Sequence, residues 1–303
     1  MKLVLFIAVG YAARKLKVIP DGFDKMLSRF VLAIPLPCMI IDSFHLDFNM
    51  EDLLNCPTIL GLAVLSLIVS FLIAQPIYIK MRRTGIAKAT RFALMFTNFT
   101  FFGLAVVSEL YGAQGVCYYV IFTLPVRVVF YGAAPMMLGE KGQHPGVKAT
   151  IKQFLCEPVV AVFIGFFLYV TQLKLPVVVS SVLSGLGDMA SPLGLMLCGT
   201  IIADAQWKGI LKYHCVLWVT ALRLLALPAV LIGLFMLLGG EKEIIQSTVY
   251  CYAMPVASFL PTFLLRYNPN DVEARTAGGY MVIVSTLVCV ATVPLWAVIL
   301  EHI

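Results

Sequence analysis

The 303-residue chain is 61% hydrophobic and only 13% charged, with a mean hydropathy of +0.95. A soluble domain carries about twice that charge fraction, so the composition is that of a membrane protein. The net charge of +6 does not mark a nucleic-acid partner, because the basic residues are placed as in a membrane protein.

Apolar stretches of about 18 residues or more, each long enough to cross a hydrocarbon core, recur along the whole chain. Ten spans are expected, near 3–18, 23–41, 58–79, 92–108, 115–138, 154–172, 177–203, 211–238, 244–265 and 276–300. The first is short and follows Lys2, as a signal peptide would, but its stronger basic cluster comes after it, which favours a first helix. The odd-numbered loops hold 17 of the 22 basic residues. These are Arg14, Lys15, Lys17, Lys25 and Arg29; Lys80, Arg82, Arg83, Lys88 and Arg91; Lys141, Lys148 and Lys152; Lys208 and Lys212; Arg266 and Arg275. The N-terminus and even loops hold only Lys2, Lys174 and Lys242. The positive-inside rule therefore puts the odd loops in the cytoplasm and both termini outside it, as an even number of spans requires.

The eight cysteines lie mostly within spans, with no C-x-x-C, and read as small buried hydrophobes. The four histidines show no metal-ligand spacing, so no metal or cofactor is expected.

A weak internal repeat runs through the chain at an offset of about 156 residues. Gly10 and Tyr11, followed by Leu16 to Pro20, echo Gly165 and Phe166, followed by Leu173 to Pro176. Pro35 to Met39 echoes Pro192 to Met196, Tyr111 to Ala113 echoes Tyr267 to Pro269, and Pro135 falls against Pro294. Five spans is an odd offset, so the second copy is inverted in the bilayer. The expected fold is an all-α polytopic membrane protein of ten transmembrane helices in a 5+5 inverted repeat, with residues 1–138 and 154–303 as the two copies. Inverted repeats of this kind belong to secondary transporters, whose sites lie near the midplane at discontinuous helices.

The fourth and ninth spans carry the interruptions. Asn98, Thr100 and Gly103 break the otherwise apolar run from Phe96 to Ala105, and Pro255 and Pro261 each remove an amide donor from the run after Tyr252. The repeat sets Phe99 opposite Pro255 and Ala105 opposite Pro261, so the two broken helices are counterparts, as a crossing pair at a substrate site requires. Kinking alone explains Pro76 or Pro228. Backbone groups freed at membrane depth must be satisfied internally or by a solute. The half-helix after each break turns its positive end to the midplane, where an anion fits, and Asn98 adds a donor. Such breaks suit a bound solute better than an open pore.

At these residues the chain resembles the auxin efflux carrier family, which includes plant PIN-FORMED proteins and bacterial malate or malonate permeases. The family's fourth helix usually carries Asn-Thr-Gly-Phe-x-Gly-x-Pro; Asn98, Phe101 and Gly103 match, while Phe99, Thr100 and Ala105 depart. Its ninth helix usually reads Met-Pro-x-Ala, then a later aromatic, Ser-Thr and proline, and Met254, Pro255, Ala257, Tyr267, Ser285, Thr286 and Pro294 fit. Asp188 to Leu195 also looks like the family's seventh helix. The resemblance implies a fold like that of the bile-acid sodium symporters. Helices 1, 2, 6 and 7 would form a scaffold, and helices 3–5 and 8–10 a transport part that moves as an elevator, with helices 4 and 9 crossing at the substrate. A homodimer is a further implication.

Arg127 and Arg223 lie about eleven residues from a membrane face, roughly 16 Å at helical rise and too deep for easy snorkelling. Arg127 reads either as the partner of a carboxylate substrate or as half of an ion pair with Asp188, Glu157 or Glu109. Arg223 reads as helix packing. Asn98, Thr100, Ser258 and Thr286 supply oxygens for a sodium ion, yet no acid sits at either break, which leaves uniport and proton coupling open.

An enzyme reading competes. Gly185-Leu186-Gly187-Asp188 spells the Gly-x-Gly-Asp pattern of intramembrane aspartyl proteases, and Leu227-Pro228-Ala229-Val230 resembles their proline segment. That chemistry needs a second carboxylate sharing a proton, and Asp42 and Asp204 are expected at span ends, too shallow to meet a mid-span Asp188. The favoured function is a secondary carrier of a small organic anion, a mono- or dicarboxylate, in the cytoplasmic membrane; a sodium-coupled carrier like the bile-acid symporters is the alternative. Its substrate would touch Asn98, Thr100, Phe101, Gly103, Ala105, Arg127, Pro255, Ser258, Phe259, Pro261 and Thr286. The other partner is the lipid bilayer.

Overall fold

Long apolar runs satisfy their backbone in lipid only as helices or closed barrels, and the described residues of this chain form helices. A computed structural model describes residues 2–20, 22–46, 49–82, 84–139, 157–203, 213–268 and 270–302. The elements are α1 (Lys2–Lys15), α2 (Phe23–Ala33), α3 (Pro35–Ser43), α4 (Met50–Met81), α5 (Ala87–Met95), a π-helical turn (Phe99–Gly103) and α6 (Leu104–Leu138). The second half holds α7 (Glu157–Thr171), α8 (Val177–Gly187), α9 (Ala190–Ala203), α10 (His214–Ala221), a second π turn (Leu222–Ala226), α11 (Leu227–Leu237), α12 (Lys242–Ala253), α13 (Leu260–Tyr267) and α14 (Val272–Glu301). No strand is found among the described residues; Thr97 and Val256 form an isolated antiparallel bridge.

Six stretches among the described residues are long and apolar enough to cross a membrane: Met26–Ser43, Leu53–Met81, Phe99–Ala134, Val177–Thr200, His214–Leu237 and Val272–Glu301. Ten were expected, and the described residues give six; the runs that differ are these. α1 is 14 residues and α7 is 15, each under the usual spanning length. The fourth and ninth spans are each cut into short helices by an extended segment. The expected fourth and fifth spans run together in α6, which is kinked at Gly112, where φ is 60° and ψ −154°. The expected loop residues Arg83, Lys141, Lys148, Lys152, Lys208 and Lys212, with Asp204 and Cys156, lie outside the described residues.

The chain divides into two compact units: Met1–Leu60, Thr100–Leu124 and Leu155–Asp204 form the first, and Gly61–Phe99, Pro125–Phe154 and Ala205–Ile303 the second. In the first, α1 lies directly on α9. A Cβ on Gly10 would stand 2.1 Å from the Met196 carbonyl oxygen, and one on Gly199 would stand 2.1 Å from that of Ile7. Small residues at a membrane helix crossing let the backbones touch, so packing and weak polar contacts replace the hydrophobic drive that lipid removes. The α2–α3 junction at Ile34, φ −127° and ψ −71°, bends the second span before Pro35. In α7 the exposed side chains Val160, Phe163, Ile164, Phe167 and Val170 recur at helical spacing, an apolar stripe suited to lipid.

Loops of equal parity meet within each unit. In the first, the backbone amide of Asn49 donates to the Tyr169 hydroxyl at 2.9 Å, and Gln172 Nε2 donates to the Leu46 carbonyl at 3.3 Å. In the second, Lys88 Nζ donates to the Gly139 carbonyl at 2.7 Å, and a Cβ on Gly85 would lie 3.1 Å from an Asp271 carboxylate oxygen. Gln246 Nε2 reaches the Leu300 carbonyl at 2.7 Å.

Candidate functional site

The second unit contains the break in both interrupted helices. α5 stops at Met95, and Phe96 turns extended with φ −122° and ψ 138°. α12 stops at Ala253, and Met254 is likewise extended with φ −84° and ψ 158°. The two extended segments run antiparallel: Asn98 N–H donates to the Pro255 carbonyl at 2.8 Å, and Ala257 N–H to the Phe96 carbonyl at 3.3 Å. The first break thus falls at 96–98, at Asn98 and ahead of Thr100 and Gly103. Thr97 and Asn98 carry short polar side chains that compete for backbone partners, whereas 99–103 coil as a π turn.

Several backbone groups that a break or a proline frees have a traceable successor. Residue 98 would normally donate to the carbonyl of Leu94; its amide is spent on Pro255, and Arg223 Nη1 donates to Leu94 instead. Pro255 has no N–H for the Cys251 carbonyl, which accepts from Thr97 Oγ1 at 2.7 Å. Val256 N–H donates to Ser285 Oγ at 3.0 Å, and Cys289 Sγ lies 3.7 Å from the Ala253 carbonyl. Pro228 deprives Leu224 in the same way, and Trp296 Nε1 supplies the donor at 2.7 Å. The π turn Leu222–Ala226 just before Pro228 is a usual accommodation of that loss. Pro261 costs nothing, because it sits in the first turn of α13, where no intrahelical bond is made. Of the two outcomes expected for these groups, internal pairing or a solute, the traced ones take the first, since an unsatisfied group at this depth costs several kcal/mol.

Side chains around the bridge remain for chemistry. Asn98, 4% exposed, donates Nδ2 to Ser258 Oγ at 2.8 Å. Phe99 follows it and meets Phe130 edge-on at 5.6 Å, and Phe130 packs on Phe92, Phe96 and Phe263. Phe259 stacks on Phe263 at 6.0 Å. The guanidinium of Arg127 lies over the Phe99 ring at 4.9 Å and is 1% exposed. Its Nε and Nη2 are buried with no hydrogen-bond partner among the described residues. The acidic candidates Glu109, Glu157 and Asp188 belong to the first unit, Arg127 to the second. Arg223 is fully buried and lies over Tyr252 at 5.1 Å.

The expected site residues divide accordingly. Asn98, Arg127, Pro255, Ser258, Phe259, Pro261 and Thr286 belong to the second unit, and Thr286 turns its hydroxyl back to the Val282 carbonyl at 2.7 Å. Thr100, Phe101, Gly103 and Ala105 belong to the first, where the Phe101 carbonyl lies against Gly194, 2.9 Å from where a Cβ would be. Sequence reasoning missed the wiring roles of Thr97 and Trp296 and read Arg223 as mere packing. The available signal was a proline whose acceptor four residues back needs a new donor.

The first unit has a cavity of about 390 Å³ at the end of α3, lined by Asp42, His45, Gln172 and Lys174 among leucines. Asp42 accepts a hydrogen bond from Ser184 and lies within electrostatic reach of Asp188 and His45. Asp188 is exposed at the junction of α8 and α9. The depth argument against an Asp42–Asp188 pair is thereby corrected, because the two carboxylates lie within electrostatic reach of each other.

A family model described as membrane transport protein matches residues 1–146 and 146–297, almost the whole chain. The chain belongs to the membrane transport protein family. This is the auxin efflux carrier-like family that the motifs at Asn98 and Pro255 resemble. An uncharacterized transporter of Methanothermobacter thermautotrophicus is 22% identical over 313 residues, covering 99% of this chain and 97% of that protein. As a member of the membrane transport protein family the chain is a multi-pass membrane transporter, and the family is not an enzyme class, which weighs against the Gly-x-Gly-Asp protease reading.

Proposed function

We propose that the protein is a secondary carrier that moves a small organic anion, a mono- or dicarboxylate, across the cytoplasmic membrane by elevator-type alternating access. The observation that carries this reading is the antiparallel pairing of two broken membrane helices at Thr97 and Val256, with Asn98, Ser258 and a buried guanidinium beside it. Irregular backbone at membrane depth persists where it is buried in protein or lines a solute path. The proposed architecture is ten helices in a 5+5 inverted repeat, like the bile-acid sodium symporters, with both termini extracytoplasmic. The meeting of equal-parity loops within each unit supports that count and sidedness.

The proposed scaffold is helices 1, 2, 6 and 7, and the transport part helices 3–5 and 8–10. The gathering of the first, second, sixth and seventh spans in one compact unit supports this division, with Thr100–Leu124 as a departure. The chain works as a homodimer in this reading. Substrate contacts fall to Asn98, Ser258, Phe259 and Arg127, with Thr100, Phe101, Gly103, Ala105, Pro255, Pro261 and Thr286 shaping the path.

The test is uptake of radiolabelled carboxylates by proteoliposomes, with and without imposed sodium or proton gradients. Saturable uptake of at least one carboxylate is expected, and its gradient dependence assigns the coupling. Conductance without saturation would identify a channel and overturn the carrier.

A further inference from the structure

We propose that Arg127 grips one carboxylate of the transported solute, two-pronged, through the Nε–Nη2 edge of its guanidinium. The inference deepens the carrier reading and rests on it. A guanidinium presents five N–H donors in a rigid plane, and the Nε and Nη2 hydrogens point the same way, spaced to meet both oxygens of a carboxylate. In Arg127 these are the two buried atoms without a hydrogen-bond partner among the described residues, on a residue only 1% exposed. The flat face is already engaged, stacked on Phe99 at 4.9 Å, and Phe99 is braced by Phe130, which lies one turn beyond Arg127 on α6. Stacking offsets part of the desolvation of the cation and leaves the edge untouched.

The other deeply placed arginines are used differently. Arg223 has its Nε and Nη2 buried without a hydrogen-bond partner among the described residues as well, but it is anchored through Nη1 to the Leu94 carbonyl, where it replaces a lost helical donor. Arg91 lies over Tyr78 at 4.1 Å and points Nη1 at Gln75. A buried cation with an empty fork is costly and, in a membrane span, marks function by default. The edge is covered in this conformation, so a carboxylate reaches it only when the side chains around that edge rearrange. A planar carboxylate matches the fork; a carboxamide offers a single acceptor oxygen, and a tetrahedral sulfonate fits it less well. Lysine keeps the charge but lacks the fork.

The experiment uses the full chain in proteoliposomes with radiolabelled succinate, butyrate and benzoate, together with site-resolved phenylglyoxal modification of Arg127 read by mass spectrometry. For a carboxylate that the wild type takes up, Arg127→Lys and Arg127→Gln are both expected to lower uptake about a hundredfold, the scale of a charged two-pronged hydrogen bond. That carboxylate is also expected to protect Arg127 of the wild type from phenylglyoxal, while its amide and sulfonate analogues do not. The protection assay needs no variant, so it holds even if the substitutions fail to fold. Uptake abolished by Asn98→Ala but unchanged in Arg127→Lys would overturn the proposal and leave the carrier reading standing. Arg127 that is never modified, or is modified equally with and without the carboxylate, overturns it as well. No uptake of any carboxylate by the wild type would sink the carrier reading and this inference with it.

Discussion

Thr97 donates its hydroxyl to the carbonyl of Cys251, the acceptor that Pro255 leaves without its helical donor. One interrupted helix thus repairs the other, across 154 residues of sequence. The pairing makes the crossing a single wired object.

Removing that hydroxyl while keeping the shape tests the repair. Thr97→Val is expected to destabilise the protein by about 1–3 kcal/mol, because the Cys251 carbonyl is left buried and unpaired. Thr97→Ser should retain most of the stability. Unfolding by SDS titration in mixed micelles measures both, and equal stability of the valine variant and wild type would refute the role.

Arg223 caps the carbonyl of Leu94 near the end of α5. Arg223→Met, of similar length and without charge, should cost about 1.5–3 kcal/mol, the range for a hydrogen bond to a charged group. Arg223→Lys should recover part of it. The same titration reads the difference, with no carboxylate present, which separates this role from any effect on uptake.

Trp296 offers a third case of the same logic. Trp296→Phe keeps an aromatic body against Leu224 but removes the Nε1 donor that stands in for Pro228. A loss of about 1–3 kcal/mol is expected. Combining it with Pro228→Ala, which restores a backbone N–H to that carbonyl, should shrink the loss, and a double-mutant cycle would show the coupling.

Asn98→Ala and Ser258→Ala each remove one side of the 2.8 Å contact beside the bridge. Carboxylate uptake is expected to fall at least about tenfold, the equivalent of one hydrogen bond of about 1.4 kcal/mol, while yield and monodispersity on size-exclusion chromatography stay near wild type. Full uptake by Asn98→Ala would remove it from the site.

Gly10→Val places a side chain where the Met196 carbonyl already lies, 2.1 Å from the Cβ position. Backbone cannot yield there as a flexible side chain would, so loss of a monodisperse species is expected. At Gly185, where no atom lies within 4 Å, alanine should be tolerated.

The breaks were legible because proline and asparagine in an apolar run have few other meanings, and Pro255 and Asn98 do stand where two helices stop. Their depth in the chain was less so. Period and composition do not distinguish a helix interrupted at Asn98 from one interrupted at Phe96, and the extended turn is decided by a partner segment that pairs from the other half. Arg223 illustrates the same limit: its burial was expected, but its task depends on a carbonyl 129 residues away. The setting of Asp188 was less legible, because an apolar run from Val177 to Ala203 reads as one rod, whereas the helix stops at Gly187 and restarts at Ala190.

The bond between Asn98 and Ser258 spans 160 residues, and this sets a timetable for the ribosome. At about 5–20 residues per second the first break waits roughly 8–32 s for its counterpart to be translated. Through that interval the polar ends of α5 stand in the insertion machinery without their final acceptors. The nascent first half is therefore a natural client for membrane chaperones, and messages cut short before codon 258 yield a chain that quality control can tell from the finished one.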